Sequence, residues 1–84
     1  MELKDLRQEI DKVDSQLAEL FNKRMELCSQ VAEYKKQANL PTLDLAREEE
    51  VLKQAEERCG MYGREFFQKL MDLSKKQQAN IRLK

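Results

Sequence analysis

LKDLRQEIDKVDSQLAELFNKRMELCSQVAEYKKQA, residues 3–38, contains no glycine or proline and places an apolar residue at every third or fourth position. Leu3, Leu6, Ile10, Val13, Leu17, Leu20, Leu27, Val31, Tyr34 and Ala38 follow alternating steps of 3 and 4, and Arg24 fills the seam position between Leu20 and Leu27. Such spacing is a heptad seam, which predicts one amphipathic helix. Phe21 and Cys28 widen the stripe towards the broader face of a globular helix. At 1.5 Å per residue the helix is about 54 Å long. A compact chain of this length is only about 24 Å across, taken as twice its expected radius of gyration. The helix must therefore project from its own chain, and its seam needs a partner.

Asn39-Leu40-Pro41 ends this helix, because proline disfavours helix at the preceding residue and supplies no amide. Thr42 or Asp44 can cap the next one. Asp44 is favoured because Leu45 follows it as the first apolar residue. The second helix is expected over residues 45–58, with Leu45, Val51, Leu52, Ala55 and Cys59 facing inward. Gly60 and Gly63 frame a short joint, and a third helix is expected over residues 63–82, with Phe66, Phe67, Leu70, Met71, Leu73 and Ile81 as its apolar residues. No alternating β-branched run suggests a strand. The expected architecture is all-α and a single domain, residues 1–84, with three helices per chain and two chains wrapped around each other.

Composition narrows the function classes. The 84 residues hold 16 basic and 16 acidic side chains, a formal net charge of zero, which argues against a phosphate-tracking surface. Lys35-Lys36 and Lys75-Lys76, the latter followed by Arg82 and Lys84, are the basic concentrations and read as solvated helix faces. There is no apolar run that would serve as a signal peptide or cross a membrane, so a cytoplasmic protein is expected, with no membrane or nucleic-acid partner. Cys28 and Cys59 are far apart and the chain has no histidine. A metal site is not expected, and the two cysteines read as buried or half-buried free thiols.

Several polar residues fall where an apolar core is expected. Arg24 sits in the seam, and a buried guanidinium requires an anionic partner. That partner is a glutamate of a second chain or a ligand, unless the long side chain reaches out to water. Lys35 lies 11 residues further on, only about 20° away in azimuth and about 16 Å along the axis. It is either solvated or grips the other end of the same ligand. Arg7 flanks the seam about 25 Å from Arg24, so no small ligand touches both within one chain. It is a surface arginine or serves a partner chain. Asp44, Arg47 and Glu48 share one face of the second helix, where Arg47 can pair with either carboxylate and Glu48 can accept from a hydroxyl. Phe67, Met71, Ser74 and Gln78 form a line on the third helix, apolar then neutral polar. Ser74 and Gln78 join helices or complete a wet pocket. With no histidine and no activated thiol, covalent or acid–base catalysis has little support. The set suits a dianion held by charge and hydrogen bonds.

At these residues the chain resembles the small all-helical bacterial chorismate mutases, a domain also found fused to prephenate dehydratase. The resemblance rests on Leu6-Arg7 with Ile10-Asp11 and Asp14, on Arg24, Glu26 and Leu27, and on Val31, Ala32 and Lys35. It continues through Pro41, Asp44, Arg47 and Glu48 to Ser74 and Gln77-Gln78. It implies an intertwined homodimer with two active sites and a Claisen rearrangement of chorismate to prephenate, without a cofactor or a covalent intermediate. By the same resemblance Arg24, helped by Ser74, binds one substrate carboxylate, and Arg7 from the other subunit binds the second. Lys35 contacts that carboxylate and the ether oxygen, to which Gln78 donates. Glu48, near the backbone of Asp44, holds the ring hydroxyl, and Arg47 lines the pocket. Met25 stands where some relatives carry a second arginine, and the joint at 59–63 is shorter than in the fused version. Three alternatives remain at this point: an isochorismate-pyruvate lyase on the same fold, a non-catalytic dimerisation or regulatory module, and a plain coiled coil.

Overall fold

The computed structural model describes residues 1–83. Lys84, part of the C-terminal basic concentration, lies outside the described residues. The chain is all-α, with two helices among the described residues: α1, Leu3–Gln37, and α2, Leu45–Leu83.

Helix α1 starts where the Asp5 carboxylate accepts a hydrogen bond from the Glu2 amide at 3.2 Å, satisfying one of the donors a helix start leaves free. It ends at Asn39, whose φ of 57° is the left-handed conformation that asparagine tolerates better than most residues. There the Leu40 amide donates to the Lys35 carbonyl at 2.8 Å and the Asn39 amide to the Lys36 carbonyl at 3.3 Å. These two bonds close the helix in a Schellman arrangement. Asp44 caps α2, its Oδ1 accepting from the Arg47 amide at 3.0 Å.

The expected pair of helices over 45–58 and 63–82, separated by a joint, is instead one helical stretch, Leu45–Leu83, interrupted at the single residue Gly60. Gly60 has φ 73° and ψ −164°, a region that essentially only glycine enters. One such residue redirects the chain, so no loop is needed. The two arms fold back on each other. Glu48 and Lys75 would be about 40 Å apart on a straight helix, yet their charged atoms lie 2.8 Å apart. Arg64 likewise reaches Glu56 and Glu49 of the first arm. Gly63 belongs to the close approach beside the bend, because a Cβ there would lie 2.2 Å from the Cys59 Cβ.

Helix α1 packs along the second arm, with Arg24 against Ser74 and Lys36 against the Ile81 carbonyl. The buried residues among those described are few: Ala32 of α1, Leu52 and Ala55 of the first arm, and Gly63, Leu70, Met71 and Ser74 of the second. Val51 is half-buried, but Leu45 and Cys59, expected to face inward, are exposed. Leu45 stands in the first turn and Cys59 at the bend, where no element of this chain covers them. Cys28 is half-buried, as expected of it.

Most of the α1 seam meets no partner within the chain. Leu3 is 62% exposed, Leu20 63% and Tyr34 67%. The molecule measures 54 × 26 × 14 Å with a radius of gyration of 15.9 Å, against about 12 Å for a compact chain of this length. Among the described residues no helix is long and apolar enough to cross a membrane.

Candidate active site

Between α1, the 38–44 connection and both arms of α2 lies an open cleft of about 310 Å³. Of the eight side chains selected from sequence, seven line it: Arg24, Lys35, Asp44, Arg47, Glu48, Ser74 and Gln78. Arg7 does not. It sits on the exposed first third of α1, about 25 Å from Arg24 along the axis.

Each group is held by its element. Arg24 Nη1 donates to Ser74 Oγ at 2.9 Å, while the buried Ser74 hydroxyl donates to the Leu70 carbonyl one turn back at 3.0 Å. The guanidinium thus has a neutral protein partner there, and its charge is not cancelled. Met25 Sδ lies 3.9 Å from the same hydroxyl, so Met25 packs behind the Arg24–Ser74 contact. Lys35 Nζ donates to the Thr42 carbonyl at 3.0 Å, which leaves two of its three N–H groups for a ligand. The connection is itself held from the far end of α2, where Arg82 Nε donates to Thr42 Oγ1 at 2.9 Å and Arg82 Nη2 to the Leu40 carbonyl.

Two pairings differ from the sequence expectation. Arg47 pairs with neither Asp44 nor Glu48 through its side chain. It meets Glu50 at 2.6 Å, because Asp44 is turned to cap the backbone and Glu48 points across to the second arm. Glu48 Oε1 instead meets Lys75 Nζ at 2.8 Å. Lys75, read from sequence as part of a solvated face, lines the cleft. The Glu48 hydrogen bond raises its pKa above the ordinary lysine value of 10.5, against the opposing effect of desolvation. In sequence Lys75 directly follows Ser74, about 100° round the helix from it, and the equivalent lysine at position 76 leaves nothing to single it out.

The cleft therefore holds four cations, Arg24, Lys35, Arg47 and Lys75, against two carboxylates, Asp44 and Glu48. Arg47 and Lys75 are paired with Glu50 and Glu48, so the positive charge without a carboxylate partner among the described residues is that of Arg24 and Lys35, which meet Ser74 and the Thr42 carbonyl. Apolar walls from Leu27, Val31, Val51 and Met71 keep water from screening it fully. A second, larger groove of about 550 Å³ is mostly apolar, formed by Leu17, Leu20, Phe21, Phe66, Phe67, Leu70 and Leu73, with Asp14, Arg24 and Lys69 also in its lining. It has the character of a packing surface.

A long helix packed on a helical hairpin, with a cleft lined by cationic and hydrogen-bonding side chains between them, defines the all-α class to which the chain belongs. Residues 6–79 match the chorismate mutase type II family, and the chain belongs to that family. Among curated proteins it is 44% identical over 50 residues to a bifunctional chorismate mutase/prephenate dehydratase of Aquifex aeolicus, covering 60% of this chain and 14% of that protein. It is 54% identical over 46 residues to the T-protein of Haemophilus influenzae, covering 55% of this chain and 12% of the relative. The chain thus matches only a small part of the length of these relatives. No solved structure matches it.

Proposed function

We propose that this chain is a chorismate mutase, converting chorismate to prephenate within one cytoplasmic domain spanning residues 1–84. The observation that carries this reading is the convergence of Arg24, Lys35, Glu48, Ser74 and Gln78 on one cleft, in which Arg24 and Lys35 meet neutral oxygens, an arrangement that complements a dicarboxylate with a ring hydroxyl.

The reaction is an intramolecular rearrangement, so the protein needs no nucleophile. Arg24, oriented by Ser74, clamps one carboxylate and favours the folded substrate conformer. As the C–O bond breaks, negative charge grows on the ether oxygen. Lys35 and Gln78 meet that charge, which makes them stronger partners of the transition state than of the substrate. Glu48 accepts from the ring hydroxyl, and Arg47 adds positive potential. Asp44 fixes the start of α2, on which Arg47 and Glu48 stand.

The second carboxylate would be met by Arg7 of the partner subunit in an intertwined homodimer. The exposed α1 seam and the mostly apolar 550 Å³ groove support that assembly: both are surfaces that a second copy would cover. The test is direct. The purified protein is mixed with chorismate, its loss is followed, and the product is identified. Prephenate is expected. Absence of turnover refutes the reading, and cleavage of isochorismate in preference to rearrangement of chorismate replaces it with the lyase.

A further inference from the structure

Glu48 is the anion among the cleft's cations that the proposed reaction uses, and its placement is a physical problem. A carboxylate free to move in a pocket with Arg24, Lys35 and Arg47 would pair with one of them and compete with the substrate's own carboxylates. The ion pair with Lys75 removes that competition. Lys75 approaches from the opposite arm, takes Glu48 Oε1 at 2.8 Å, and leaves Oε2 as an acceptor. Asp72 Oδ1, at 3.9 Å from the same ammonium, draws Lys75 towards its own arm one turn back. Glu48 is only 21% exposed while Lys75 is 40% exposed, so the lysine reaches in from the rim and the carboxylate is the more enclosed partner.

We propose that Lys75 is a positioning residue of the cleft: it holds Glu48 against the second arm, aims its free oxygen at the substrate's ring hydroxyl and keeps it from Lys35 and Arg24. The inference rests on the chorismate mutase reading above and deepens it. Lys75 touches no substrate in this scheme and acts through Glu48. As a half-exposed ion pair it adds little to stability, so its effect belongs in substrate binding.

Steady-state kinetics of four variants test this, alongside the wild type. Lys75→Met should raise KM for chorismate about tenfold, with a smaller fall in kcat, the size expected for losing one charge-assisted hydrogen bond. Lys75→Arg keeps a cation at the rim and should restore most of the loss. Glu48→Gln should be impaired. The double variant, Lys75→Met with Glu48→Gln, should be no worse than Glu48→Gln alone, because the lysine then has no carboxylate to hold. An unchanged KM in Lys75→Met overturns the inference, and so does a double variant whose losses multiply. A lowered melting temperature with normal kinetics would make the pair a structural strut and also overturn it. A wild-type protein inert towards chorismate sinks the functional reading itself, and an active wild type with an indifferent Lys75→Met sinks only the role of Lys75.

Discussion

Replacing Lys35 by methionine removes one charge from the cleft and keeps most of the side chain's length. Lys35 is half-buried and tied to the Thr42 carbonyl at 3.0 Å, so its ammonium stays near one place while two N–H groups remain to donate. At about 3 Å and an effective dielectric near 20, a full unit-charge pair is worth about 5.5 kcal/mol. If roughly half a unit charge develops on the ether oxygen, the transition state loses about 2.8 kcal/mol, or about 100-fold in rate. Removing one donor from a developing oxyanion elsewhere costs about 10²–10³-fold, in the same range. The assay is continuous loss of chorismate under saturating and limiting substrate, with circular dichroism and sedimentation to show that the variant folds and assembles like the wild type. The fall should appear in kcat as well as in kcat/KM, because the interaction strengthens as the bond breaks. A folded, assembled Lys35→Met protein with near-normal kcat would refute the electrostatic account. A rise in KM alone would reduce Lys35 to a substrate clamp.

Mixing two inactive variants, Arg7→Ala and Lys35→Met, should restore activity if each site draws on two chains. Random exchange makes about half the dimers mixed, each with one intact site, so about a quarter of wild-type activity is expected on the symmetric-dimer geometry. No recovery after verified subunit exchange would place Arg7 outside the site. Gly60→Ala should destabilise the fold by about 1–3 kcal/mol through the backbone alone, because a Cβ at that position meets nothing within 4 Å. Its melting temperature should fall by several degrees in thermal unfolding, while an unchanged value would mean that the bend tolerates a side chain. The Lys75–Glu48 pair should also leave a mark at high pH. Because the folded-state pKa of Lys75 lies above its ordinary value of 10.5, its contribution is present in full below that value and is lost as pH rises through the higher one. The small stability difference between wild type and Lys75→Met, measured by denaturant unfolding, should hold through neutral pH and vanish in strong alkali.

The family relationship brings the α1 seam and the cleft into one scheme. Arg24 interrupts a row of leucines, which is a defect for a coiled coil and an asset for a site. Its hydroxyl partner, Ser74, is buried at 4% exposure and neutral, so the seam carries a positive charge into the chain's interior without neutralising it. On the proposed reading, a glutamate in place of Ser74 would satisfy the helix pair better and compete with the substrate carboxylate for Arg24.

By itself the sequence determined what is local. The unbroken 3-4 spacing of residues 3–38 specified α1 and its unpaired seam, Pro41 and Asp44 specified where one helix stops and the next starts, and the Arg24–Lys35 interval put two cations on one face. Period, capping and proline chemistry act within a few residues, so they can be read in one dimension. Tertiary structure alone decided that the joint shrinks to the single residue Gly60 and that Glu48 belongs to Lys75. Those choices depend on which side chains come within about 3 Å across two antiparallel arms, and such distances leave no period in the chain. Lys75 and Lys76 are alike in sequence. Only the crossing of the arms sends Lys75 into the cleft.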